Sequence, residues 1–236
     1  MRKVDNSSQV PKNQNDEITL FCQLGSTLSI KYFESKTTAE KMALCEALIQ
    51  VATNFIDEHL WDQAISAGDA SEIIAKDMND RRLLGEVAFR RGLWHFHQGS
   101  LLAAMKSWEE ALEYFQEAGI DEAVANCLSS IGIINKDLGR THEAQEYLER
   151  ALSSYKKIHH VLGQAATLSN LGLVLRVEGR LREALENYNQ GLELFRQLRD
   201  PEGEAAVLGN IGIIYLTLFL RKQSVFIFVS ANRGHF

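Results

Sequence analysis

Two asparagines occupy the same place in two apolar helical stretches, Asn170 in "SNLGLVL" and Asn210 in "GNIGIIY". Asparagine is a mediocre helix former because its side chain competes for backbone hydrogen bonds, so its return mid-helix asks for a compensating use. Its amide both donates and accepts, which suits a sequence-tolerant grip on a peptide backbone. Asn126 and Ser130 are polar positions of the same kind in an earlier stretch. Arg90, Lys136 and Arg176 add cations that could pair with an acidic ligand, guanidinium groups taking carboxylates bidentately. The plain alternative for all seven is a solvated polar group on a helix surface, since most exposed charges contribute little.

Catalytic patterns are weaker. His95 and His97 are two residues apart and point to different sides of a helix, so they cannot chelate one metal as an i, i+4 pair would. His95 is expected to pack beside Trp94, and His159-His160 falls in a turn without a carboxylate motif beside it. The sequence carries no P-loop, no GxSxG and no HExxH, and nothing in it implies a cofactor. Cys22, Cys45 and Cys127 are odd in number and widely spaced, which fits neither a disulfide framework nor a zinc site and points to a reducing, cytoplasmic setting. A net charge of −6 disfavours nucleic acid and anionic lipid as general partners. No secretory leader is legible in "MRKVDNSSQVPKNQND", and the apolar run "GIIYLTLFLRKQSVFIFVS" is split by Arg221, Lys222 and Gln223, so no membrane span is expected.

What positions the polar residues is a repeat. "FRRGLWHFHQGS" at 89, "SSIGIINKDLGR" at 129, "SNLGLVLRVEGR" at 169 and "GNIGIIYLTLFL" at 209 recur with a period of forty residues. Gly92, Gly132, Gly172 and Gly212 form one column and Gly99, Gly139 and Gly179 a second. Ala104, Ala144 and Ala184 follow, then Trp108, Leu148 and Tyr188, then Ala111, Ala151 and Gly191. An earlier segment fits more loosely, with Ala52 in the first glycine column and Ala64 in the alanine column. Leu168, Leu171 and Leu175, then Leu181, Ala184, Tyr188, Leu192 and Phe195, show helical spacing, so each unit reads as two helices. The second glycine column is read as the turn between them, and the first as room for the alanine column of the partner helix. The Trp108, Leu148 and Tyr188 column is read as core. Asp200 before Pro201 and Asp121 in "GIDEA" are expected N-caps.

These columns resemble the tetratricopeptide repeat, whose signature places W, LG and Y on a first helix and A, F and A on a second. The likeness rests on Leu171-Gly172, Ala184 and Tyr188; on Ile131-Gly132, Ala144, Leu148 and Ala151; and on Gly92, Ala104, Trp108 and Ala111, over roughly residues 45 to 218. The period is longer than the family's usual 34 residues, the tryptophan position holds Ala88, Leu128, Leu168 and Leu208, and the closing proline is absent. The longer unit is similar to those of kinesin light chains, spindle-orienting scaffolds and bacterial peptide-sensing regulators. The resemblance implies an all-α, right-handed α-solenoid of stacked antiparallel helix pairs, about four units and a partial fifth, whose first helices line a concave face. In the family, asparagines in the Asn170 and Asn210 column contact bound peptides. Phe89, Leu93 and Ser130 stand where some relatives clamp a peptide's C-terminal carboxylate, so binding of that class is not expected.

The expected organisation is a disordered tail over 1–16, an N-terminal helix over 17–36, the repeat domain over 37–218 and a divergent segment over 219–236. In that last segment Phe219 replaces the turn glycine and Ser224 the alanine. Either a longer array has been cut there, or Val225, Phe226 and Phe228 form a divergent closing lid; self-association through this end stays open. The expected function is a noncatalytic scaffold holding a peptide or partner helix in its groove. The alternatives are the sensory half of a larger signalling protein or enzyme and, less favoured, a nucleic-acid-binding helical repeat.

Overall fold

The computed structural model describes residues 36–232, with side chains described through Leu220 and at Lys222. The tail expected over 1–16, residues 17–35 of the helix expected over 17–36, and the side chains of Val225, Phe226 and Phe228 lie outside the described residues. The described residues form nine helices and no strand: α1 (Thr38–Asp57), α2 (Trp61–Met78), α3 (Arg81–His97), α4 (Leu101–Ala118), α5 (Asp121–Asp137), α6 (Thr141–Lys157), α7 (Val161–Val177), α8 (Leu181–Leu198) and α9 (Pro201–Asn232). They divide after Ile120 into two compact bodies, α1–α4 and α5–α9. Antiparallel hairpins α1/α2 and α3/α4 build the first; α5/α6, α7/α8 and the first-position helix α9 build the second.

One turn is used throughout. Residues 59, 79, 99, 119, 139, 159, 179 and 199 all have left-handed φ between 52° and 78°. The residue after each donates its N–H to the carbonyl five places back, at 2.8–3.1 Å. This is the geometry that closes a helix on a left-handed residue and satisfies its last carbonyls. The forty-residue period is therefore two copies of one helix-plus-turn unit. Gly99, Gly139 and Gly179 take the turn as expected, while His59, Asn79, His159 and Arg199 take it with a side chain attached, against the Cβ clash that makes glycine usual there.

Side-chain caps mark four of the five first helices among the described residues. Thr37 and Glu40 cap each other at the start of α1, and Asp80 accepts the Leu83 N–H at 3.0 Å at the start of α3. His160 Nδ1 accepts the Gly163 N–H at 2.9 Å, and Asp200 accepts from Glu202 and Gly203 as expected. The expectation for Asp121 is corrected: it is the first residue of α5 rather than its cap, where its negative charge faces the positive end of the helix and reaches Lys157 at 2.8 Å. Helices α2, α4, α6 and α8 start without a side-chain cap.

The core follows the columns. Ala104, Ala144 and Ala184 are fully buried, and Trp108, Leu148 and Tyr188 are buried beside them. The first glycine column makes room for these large residues rather than for the alanines. A Cβ at Gly172 would lie 2.8 Å from ring carbons of Tyr188, one at Gly132 2.7 Å from Leu148 Cγ, and one at Gly92 on the Trp108 indole. Each glycine is a seat for the bulky residue sixteen places later.

Helix α9 begins like a first helix, burying Val207 and Ile214, but its backbone stays helical past Phe219 to Asn232. A Cβ at Gly212 would meet nothing within 4 Å, and Leu208, Ile213, Tyr215, Leu216 and Phe219 are exposed. Its stretch Pro201–Leu220, of mean hydropathy 1.6, is long and apolar enough to cross a membrane. Arg221 and Lys222 follow that stretch instead of interrupting it, so the charge argument against a span does not reach it.

Candidate functional site

First helices stand beside first helices: α1 touches α3 in the first body, and α5, α7 and α9 touch in succession in the second. This gives each body a face built from first helices alone. In the second body Ser130, Asn170 and Asn210 hold equivalent places on α5, α7 and α9. All three are half-buried. Neither asparagine amide makes a hydrogen bond among the described residues, so each keeps its donors and acceptor for another molecule.

Of the other predicted residues of this body, Asn126 and Lys136 are committed elsewhere. Tyr155 donates its hydroxyl to Asn126 Oδ1 at 2.6 Å, tying α6 to α5 and using the asparagine's acceptor. Lys136 pairs with its neighbour Asp137 at 2.8 Å. Arg176 lies by Tyr188: its Nε and the tyrosine hydroxyl are both buried without a hydrogen-bond partner. Burial raises the Tyr188 pKa, and the Arg176 guanidinium opposes that rise. Asn135, not singled out from the sequence, is buried and bonds the Ile131 carbonyl at 3.0 Å, a structural role.

In the first body Arg90 borders a cavity of ≈180 Å³ that is lined by α1, α2 and α3 and partly open to solvent. Ile49, Ala52, Ile56 and Val87 form its apolar wall, and Asp69, Arg90 and Trp94 also border it. Arg90 Nε and Trp94 Nε1 are buried N–H donors with no acceptor. The adjacent Arg91 is occupied, pairing with Glu72 at 2.8 Å and with Glu110. Asp69 is exposed, and partial desolvation and then Glu72 raise its pKa above the ordinary value, with Arg91 partly compensating. Asp69 and Trp94 were not singled out from the sequence because their columns read as ordinary surface and core, Asp69 with Glu109 and Glu149, and Trp94 with Ile134, Val174 and Ile214. Gly68 did carry a signal, since it stands forty residues before Trp108.

The histidines divide. His95 packs on Trp94 with ring centroids 4.4 Å apart, as expected, and burial followed by Arg91 lowers its pKa. His160 does have a carboxylate beside it, Glu122 at 3.6 Å, which the sequence could not show because 38 positions separate them. Among the described residues no group of three or more His, Cys, Asp or Glu side chains is placed to hold a metal ion. Cys45 and Cys127 are buried free thiols.

Comparison with known proteins agrees with the columns. The tetratricopeptide repeat family model matches residues 83–157 and 163–224, together more than half of the chain. No curated protein sequence matches it. Among solved structures the chain is similar to BtubC (BKLC) from P. vanneervenii, with a TM-score of 0.71 at 18% identity, covering 94% of this chain and 91% of that one. It is also similar to a signal transduction ATPase with numerous domains, carrying a tetratricopeptide repeat sensor, from Pyrococcus horikoshii, with a TM-score of 0.69 at 15% identity over 86% of this chain and 30% of that one. RapI in its apo form gives 0.68 at 16% identity, over 92% of this chain and 62% of that one. At such identities these structures testify to the fold, an all-α helical repeat solenoid. With a glycine seat under each bulky residue and a family match across the same columns, the chain belongs to the tetratricopeptide repeat family.

Proposed function

We propose that this protein is a noncatalytic interaction module that holds a polypeptide segment against its first helices, in a cytoplasmic setting. The observation that carries the reading is the pair Asn170 and Asn210: one repeat apart on touching helices, half-buried, and without internal hydrogen bonds. An amide in that state pairs with either a peptide carbonyl or a peptide N–H, so it grips a backbone whatever the sequence. Tetratricopeptide repeats recur in interaction and regulatory proteins, which fits the same use. The net charge of −6 and the buried thiols favour a protein partner and a reducing compartment over nucleic acid and an oxidising one. A sensory role within a larger signalling protein is the second reading, favoured by the fold shared with the repeat sensor of the Pyrococcus horikoshii ATPase.

The test is affinity capture with the wild-type protein and an Asn170→Ala, Asn210→Ala double variant. Each lost amide pair costs about 1 kcal/mol, so partners should be held roughly 10- to 30-fold more weakly. Helix content should not fall, because alanine is the better helix former. Recovery of the same partners with unchanged affinity refutes the assignment.

A further inference from the structure

Helix α9 carries a hairpin face that nothing covers among the described residues. On α7 the equivalent face is closed by α8: Tyr188 sits on Gly172, and a Cβ at Gly191 would lie 3.1–3.6 Å from atoms of Ala165, Ser169 and Leu168. Forty residues later stand Ala205, Leu208, Gly209 and Gly212. Leu168 is 4% exposed where Leu208 is 44% exposed, and a Cβ at Gly209 or Gly212 would meet nothing within 4 Å. Leu216 and Phe219 continue the stripe, each 57% exposed. At 3.6 residues per turn these six positions share one side of α9, opposite the buried Val207 and Ile214 that pack it on the repeat. The segment after Phe219 does not return over this face, because the backbone stays helical in α9 to Asn232.

The stripe is graded along the helix, and the grading selects an occupant. Its N-terminal half is small at Ala205, Gly209 and Gly212, and its C-terminal half is bulky at Leu216 and Phe219. The helices of each hairpin meet antiparallel, so the uncovered place calls for an antiparallel helix. A second α9 laid antiparallel and centred on Gly212 brings Phe219 of one copy level with Ala205 of the other, and Leu216 level with Leu208 and beside Gly209. Bulky meets small at both ends by symmetry, as Tyr188 meets Gly172. The two Gly212 residues meet at the crossing, where the lack of side chains lets the axes approach to about 8 Å. The exposed Lys222 comes level with the exposed Glu202 at each end, opposite in charge. A parallel copy would instead set bulky against bulky and Lys222 against Lys222. A bilayer would cover the apolar residues but makes no use of the grading. We propose that two copies of this chain pair through α9, antiparallel and two-fold symmetric, with Gly212 at the crossing. Asn210, two positions from Gly212, lies on the far side of the helix, so the pairing leaves it free and does not depend on its assignment.

A single helix pair is a small interface, below about 1,200 Å², so the dissociation constant should be on the order of 10 µM. Sedimentation velocity of the full-length protein across that concentration should pass from monomer to dimer. Gly212→Trp puts a ring at the crossing, where the single chain has open space, and Leu216→Glu replaces a bulky contact by a charge. Each should weaken the dimer about tenfold or more, with helix content retained by circular dichroism. Under mild oxidation Gly212→Cys should form a linked dimer beyond the wild-type level. Ala205→Cys should do so only when mixed with Phe219→Cys, because its own two copies stand about 21 Å apart. Phosphatidylcholine vesicles should leave the dimer in solution. A monomer at every concentration overturns the proposal, and a monomer that floats with the vesicles assigns the face to lipid instead. A dimer that both Gly212→Trp and Leu216→Glu leave intact, or one in which Ala205→Cys cross-links as readily alone as Gly212→Cys, overturns it as well.

Discussion

Replacing Gly172 and Gly212 by alanine puts one substitution into one sequence column with opposite outcomes. Both glycines sit inside a helix, so each change gains about 1 kcal/mol from helix propensity. At Gly172 the new Cβ would stand 2.8 Å from two ring carbons of Tyr188 and 3.0 Å from a third. Carbon atoms rest at about 3.5–4.0 Å, and the Tyr188 side chain is fully buried, so the ring has no open space into which to retreat. Overpacking of this kind costs roughly 1–3 kcal/mol, leaving Gly172→Ala between neutral and about 2 kcal/mol destabilised. At Gly212 nothing lies within 4 Å, and the propensity gain of about 1 kcal/mol stands alone. The propensity effect cancels between the two, so their difference, about 1–3 kcal/mol, measures the seat itself. Urea denaturation followed by circular dichroism reads Gly172→Ala, and amide exchange within α9 reads Gly212→Ala, since a terminal helix opens locally. In a Tyr188→Ala background the penalty at Gly172 should disappear. Equal effects at the two glycines, or a penalty that persists without the tyrosine ring, would refute the account of the glycine column.

Two further outcomes follow from backbone and burial. Arg199 holds a left-handed φ of 56° between α8 and α9, so Arg199→Gly should stabilise by up to about 1 kcal/mol, or roughly 2–4 °C in Tm; a fall in Tm would show that the arginine side chain outweighs its backbone cost. Burial pushes the Cys127 thiol from 9.0 up to about 12, so the folded state keeps a proton that the unfolded chain has lost. Stability should then be intact below pH 9 and fall between pH 9 and about 12, by about 1.4 kcal/mol per pH unit from this thiol. Cys127→Ala should reduce the slope of unfolding free energy against pH by that amount, and an unchanged slope would contradict it.

The family was legible before any coordinates because its determinants are local and periodic. A helix of fixed length followed by a fixed turn returns every position after forty residues, so Gly172, Ala184 and Tyr188 announce their roles by recurring. The turns at His159 and Arg199 were not legible, since nothing in those residue types calls for a positive φ; the surrounding helices impose it. Nor could the sequence say that the glycines seat the bulky column rather than the alanine column, because that depends on how two helices mesh.

Among the polar residues the sequence placed Asn170 and Asn210 on first helices, and only the tertiary structure separated them from Asn126, whose acceptor Tyr155 occupies from 29 positions away. The same holds for Arg90, whose neighbour Arg91 is taken by Glu72 and Glu110 while its own Nε stays unpaired. Chain composition and period set which side chains face the same way. Whether a side chain is free depends on partners brought together by packing.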